Sequence, residues 1–170
     1  HEPWDAATHA MFLLAALEAP EGLTPAMRLL RKPDAFVDEF FGDILTECLS
    51  WALARLARSQ PEALVELAQD ASIDPYVRSA ALRGFVAQVW LWPERRPSVI
   101  RALGELLETA ATEPDPDWNA LLVDSVADLA PQELRSQVAA LFEQEIVDLT
   151  FISEADVDEA YRRGGQGKER

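Results

Sequence analysis

Apolar residues along this chain recur at intervals of three and four, the spacing that gathers them on one face of an α-helix. Between Asp43 and Arg58, the residues Ile44, Leu45, Cys48, Leu49, Ala52, Leu53 and Leu56 fall on a single stripe. From Tyr76 to Leu91 the apolar positions (Val77, Ala80, Ala81, Leu82, Phe85, Val86, Val89 and Trp90) cover most of the circumference. A helix apolar nearly all round is packed on several sides. No segment alternates with period two for long enough to suggest a strand. The pattern predicts helices over residues 5–18, 24–31, 34–41, 43–58, 61–70, 75–91, 97–112, 116–129, 131–145 and 154–162. The connections between them are short, which favours antiparallel neighbours.

Prolines fall where these helices begin. Thr24-Pro25, Gln60-Pro61, Asp74-Pro75, Arg96-Pro97, Asp115-Pro116 and Ala130-Pro131 each precede a stretch of helical periodicity. A proline in the first turn gives up only an N–H that would have had no partner there. Thr24, Asp74 and Asp115 are suited to accept hydrogen bonds from the free first-turn amides. Ser153, with Asp156 three residues on, reads as a variant of the capping box.

One stretch carries a repeat signature. Asp74-Pro75-Tyr76-Val77-Arg78-Ser79-Ala80-Ala81 resembles the D-P-x-V-R-x-x-A opening of the second helix in a HEAT-like repeat. Asp43 and Asp115 open comparable helices 31 residues before and 41 residues after Asp74. Helices 5–18, 43–58, 75–91 and 116–129 would then form one layer, lining a concave surface. Helices 24–31, 61–70, 97–112 and 131–145 would form the other. Such pairs cannot bury their faces alone and must stack. The expected fold is therefore all-α, an α-solenoid of about four HEAT-like antiparallel helix pairs over residues 1–163. Strict periodicity is poor, which keeps a compact multi-helix bundle as the alternative. Residues 164–170, rich in glycine and charge, read as a flexible C-terminal tail.

Composition narrows the function more than it identifies it. The chain of 170 residues, 49% hydrophobic and 26% charged, is long enough for one domain with a continuous core. No apolar run approaches the roughly 20 residues needed to cross a bilayer. The start, His1-Glu2-Pro3-Trp4, shows no signal peptide and no initiator Met, so the chain is expected to be processed or cut from a longer protein. A single cysteine, Cys48, cannot make an internal disulfide or a cysteine-based zinc site, and fits a cytoplasmic protein. The net charge of −15, from 30 acidic and 15 basic residues, would repel phosphate backbones and anionic lipid. The small basic groups (Arg28, Arg31 and Lys32; Arg95, Arg96 and Arg101) read as helix ends or solvated loops. Neither nucleic acid nor a membrane surface is expected as a partner.

Four segments resemble the bacterial "domain of unknown function 1186" family. They are the run His9 to Ala15, the motif Gly42-Asp43-Ile44-Leu45-Thr46-Glu47, the stretch Asp74 to Ala81, and a C-terminal stretch. The last runs from Trp118 through Asp128-Leu129 and Pro131-Gln132-Glu133-Leu134 to Ile146-Val147-Asp148 and Phe151-Ile152-Ser153. Their order and spacing agree over almost the whole chain. The resemblance implies a HEAT-like helical repeat domain with no established activity, often with further helices before the equivalent of His9. Some members carry a C-terminal Cys/His zinc motif; it is missing here, so the resemblance transfers no metal.

The candidate chemistry is sparse. Cys48 lies in the apolar stripe of its helix and reads as a small buried residue rather than a nucleophile. His9 shares a face with Phe12, Leu13 and Ala16 and reads as a packed core histidine. Asp43 and Glu47, like Asp124 and Asp128, are carboxylates four apart, but Glu-x-x-His pairs, H-E-x-x-H, G-x-S-x-G and phosphate-binding glycine loops are all missing. No catalytic residue, metal or cofactor is therefore expected. Trp51 stands off its helix's stripe, with Glu47 and Arg55 one turn to either side, and Trp118 opens a helix beside Asp115 and Asp117. Trp90 and Trp92, around Pro93, read as packing at a helix end. The expected function is a non-enzymatic interaction module that presents Glu47, Trp51, Arg78, Trp118 and Asp124 to a protein or peptide partner carrying a basic segment. The alternatives are an enzyme or a small-ligand or metal binder using inward carboxylates, and an accessory domain of a longer protein.

Overall fold

The computed structural model describes residues 3–112 and 115–165, and every regular element among them is helical. The protein is all-α. It divides into two compact units, one ending at Leu91 and the other beginning at Trp92.

The first unit contains α1 (Pro3–Ala16), α2 (Leu23–Leu30), α3 (Asp34–Phe41), α4 (Ile44–Glu47), α5 (Leu49–Leu56), α6 (Glu62–Gln69) and α7 (Pro75–Leu91). Its centre is α7, buried on nearly every side as its apolar circumference predicts and packed by α4, α5 and α6. Asp74 starts that helix. Its Oδ1 accepts from the N–H groups of Tyr76 (2.8 Å) and Val77 (3.2 Å), and Pro75 fills the first position.

Helices α5 and α7 run side by side in the same direction. Gly84 faces Ser50, Leu53 and Ala54, and one turn on the Gln88 amide reaches the carbonyls of Ala54 and Ala57. A Cβ at Gly84 would stand 2.9 Å from the Ser50 carbonyl oxygen, so only glycine lets the two backbones come this close. Helix α6 packs on α7, its C-terminal end at the first turn of that helix. There Arg78 Nε donates to the Ala68 carbonyl (2.9 Å). On the other flank, α1 packs on α5 with their C-terminal ends adjacent. Leu14 and Leu56 both close on Gly22, and Glu18, just past α1, pairs with Arg55 and Arg58.

The sequence pattern shows one continuous helix over 43–58; the structure has two, broken at Cys48 (φ −142°, ψ −6°). Leu45, Leu49, Leu53 and Leu56 are buried on both sides of the break, so the apolar stripe runs through it unchanged. The Thr46 hydroxyl bonds back to the Asp43 carbonyl, a local bond that competes with the helix ladder. Thr24 is not a cap either. Helix α2 begins one residue earlier, after the turn Pro20–Gly22, and Gly22 stands at its N-cap position.

The second unit contains α8 (Arg96–Thr112), α9 (Pro116–Leu129), α10 (Arg135–Glu143) and α11 (Glu154–Arg163). Asp115 caps α9 through the Trp118 N–H, and Ser153 caps α11 in a reciprocal box with Asp156. Successive helices here also pair with their next-but-one neighbours. Gly104 and Glu108 of α8 meet Leu134, just before α10, and Gln137, within it, in the same order along both. Pro116 and Asn119 of α9 bond to the Ile146–Asp148 segment that leads to α11, and the far end of α9, Leu129, meets Gly165. The helix expected over 131–145 opens as a 3-10 turn (Gln132–Leu134) before α10. Of the tail expected over 164–170, Gly164 and Gly165 close α11 with positive φ angles, and residues 166–170 lie outside the described residues.

Candidate functional site

The five residues singled out by sequence take different positions. Glu47, at the end of α4, is exposed. Trp51, in the first turn of α5, is 44% exposed. Arg78 is only 7% exposed, and its guanidinium closes the C-terminal end of α6 through the Ala68 carbonyl. A cation there also answers the negative end of the α6 dipole. In the second unit, Trp118 is 8% exposed in the first turn of α9, and Asp124, on the same helix, is partly exposed.

The first unit brings Trp51 together with a residue the sequence reading set aside. The Trp90 ring lies 5.8 Å from that of Trp51, centroid to centroid, with the planes tilted by 36°. Trp90 is 39% exposed and not packed away at the helix end. The sequence shows only a spacing: Tyr76, Arg83 and Trp90 stand seven apart, and the structure leaves them, with the end residues Pro75 and Leu91, as the positions of α7 that are not buried. The two indoles thus meet from adjacent parallel helices.

Near Trp51, two arginines share one carboxylate. Arg55 Nη1 lies 3.9 Å from a Glu18 oxygen, and Arg58 closes on the other oxygen of the same carboxylate. Cys48, at the break between Glu47 and Trp51, is half-buried and free of disulfide. Burial and the nearby Glu47 carboxylate push its thiol above the usual value, which disfavours the nucleophilic thiolate. His9 differs from its expected core position: it is exposed, because Thr8, Met11 and Ala15 take the inward face of α1.

The second unit holds a polar clamp that sequence reasoning missed. Fully buried Asn119 donates from Nδ2 to the Ile146 carbonyl (2.8 Å), and the Asp148 N–H donates to the Pro116 carbonyl. Asp148 then caps its own turn. The Thr150 N–H, first, and the Thr150 hydroxyl, second, hold its carboxyl below the usual carboxylate range. A cleft of about 110 Å³ lies between α10 and α11, lined by Val138, Phe142 and Val157 with Arg135 and Asp158 at its edge. It is smaller than the several hundred Å³ typical of a small-molecule site. Among the described residues, no group of three or more His, Cys, Asp or Glu side chains could hold a metal ion. No helix among the described residues is long and apolar enough to cross a membrane.

The family model described as "Protein of unknown function (DUF1186)" matches residues 2–168. The chain belongs to this family. Two relatives, each named "Uncharacterized protein", come from Chlamydia trachomatis serovar D and Chlamydia muridarum. Each is 32% identical over 151 residues, covering 88% of this chain and 59% and 60% of their own lengths, respectively. The chain thus spans about three fifths of the curated relatives it matches. No solved structure matches.

Proposed function

We propose that this chain is a non-enzymatic interaction module that binds a protein or peptide partner through the exposed face of its first unit. The observation that carries the reading is the Trp51–Trp90 pair. Large aromatic side chains left partly in water on a packed helical scaffold are the groups most enriched among interface hot spots. The pair is also preorganised, because α5 and α7 are fixed to each other by the Gly84 contact and the Gln88 hydrogen bonds. A rigid anchor loses little entropy on binding. In this reading Glu47 and Trp90 join Trp51 at the contact surface of the first unit, and Arg78 supports the scaffold beneath it.

The architecture we propose for it is HEAT-like. Same-direction pairing of next-but-one helices (α5 with α7, α8 with α10, α9 with α11), each joined through an intervening helix of the chain, is what stacked helix pairs produce. The D-P-x-V-R-x-x-A opening at Asp74 supports the same reading, and a cytoplasmic location fits its single cysteine.

Affinity capture with the Trp51→Ala/Trp90→Ala double variant tests the function. Reproducible partners recovered by the parent chain should be lost by the variant, with helical content unchanged by circular dichroism. Equal recovery by both would remove this face from the function.

A further inference from the structure

We infer that the Trp51–Trp90 pair is a seat for an arginine side chain of the partner, which lies over the exposed indole faces and turns its charge towards Glu47. This inference rests on the interaction reading above and specifies the chemistry of the segment that docks.

Four observations carry it. The rings are tilted by 36° rather than stacked flat, and each residue keeps roughly two fifths of its surface in water. Among the described residues no cation is seated over either ring. The chain makes the same kind of contact internally elsewhere, with Arg95 over Trp92 at 4.9 Å and Arg135 over Tyr161 at 5.3 Å. The charge balance also favours a cation. The chain carries −15, Glu47 is exposed four residues before Trp51, and Arg55 and Arg58 both turn to Glu18. A basic segment is drawn in by the net field and meets an aromatic pair close in sequence to arginines that are already paired with Glu18. Arginine fits better than lysine, because its planar, weakly hydrated guanidinium stacks flat on an indole while keeping its edge donors for a carboxylate.

The test uses the full chain and a short fluorescein-labelled peptide of arginine, glycine and serine, read by anisotropy at ~150 mM salt, where surface attraction is largely screened. Its companions replace arginine with lysine, with norleucine or with glutamate. The arginine peptide should bind best, and Trp51→Leu and Trp90→Leu should each weaken it about two- to fivefold, the range of an exposed cation–π contact. Trp51→Phe should restore part of the loss. Three outcomes overturn the inference. If the leucine variants bind the arginine peptide like the parent, attraction is diffuse. If the norleucine peptide binds as tightly and depends on Trp51, the anchor is apolar, and the interaction reading survives without the cation. If no peptide binds at all, the face has no seat for arginine, whatever the capture experiment returns.

Discussion

Gln88 of α7 closes the end of α5: its fully buried side-chain amide donates to the Ala54 carbonyl at 3.0 Å and to the Ala57 carbonyl at 3.2 Å. Those carbonyls sit where α5 runs out into the turn Ala57–Ser59. One side chain thus completes the end of α5 and fixes it to α7. Gln88→Leu keeps the volume and removes the donor. It should cost about 1–3 kcal/mol, read from the midpoint of urea unfolding. An unchanged midpoint would mean the seam does not depend on this bond.

Gly84 makes the tighter test of the same seam. Alanine there would place its Cβ 2.9 Å from the Ser50 carbonyl oxygen and 3.3 Å from Leu53 Cβ. The backbone must give way, at a cost of roughly 1–3 kcal/mol, against the small gain alanine brings in an ordinary helix interior. Gly84→Ala should also move Trp51 relative to Trp90. Tryptophan emission should change together with stability.

These two contacts show how much the sequence discloses. The starts of α7, α9 and α11 are legible because Asp74, Asp115 and Ser153 act through their own neighbours, and local chemistry is what a sequence displays. The break at Cys48 is not legible, since the same leucines are buried on either side of it. Arg78 looks like a surface charge until α6 is seen to end against it. Trp90 looks like packing until α5 brings Trp51 beside it. The exposure of Trp51 itself is readable, because it stands off the leucine stripe of α5 with Arg55 one turn on.

The Asp74 cap gives a local prediction. Asp74→Ala removes the acceptor for the Tyr76 and Val77 N–H groups and should destabilise the first unit by about 1 kcal/mol. Asp74→Asn should recover most of it. Thermal unfolding of both variants distinguishes a cap from a mere charge effect.

Tyr161 supplies a pH dependence. Burial, with a smaller push from Glu133 and against the pull of Arg135, raises its hydroxyl to about 12, and that hydroxyl donates to the Pro131 carbonyl at 3.0 Å. The unfolded chain releases the same proton near pH 10. The folded state therefore holds more protons between these values. The contribution is fully present below about pH 10 and is lost as pH rises towards 12, on the order of 2 kcal/mol. Comparing denaturation of the parent and Tyr161→Phe at alkaline pH isolates it: the parent should lose more stability across that window. Parallel losses would show that the proton is not held.

The most direct test of the interaction face is a photo-crosslinking amino acid placed in the native cell at Trp51, at Trp90 and, as a control, at exposed Glu62 of α6. Positions 51 and 90 should yield the same discrete adduct and position 62 none. Adducts of equal strength from position 62, or none from positions 51 and 90, would contradict a partner-binding role for the Trp51–Trp90 face.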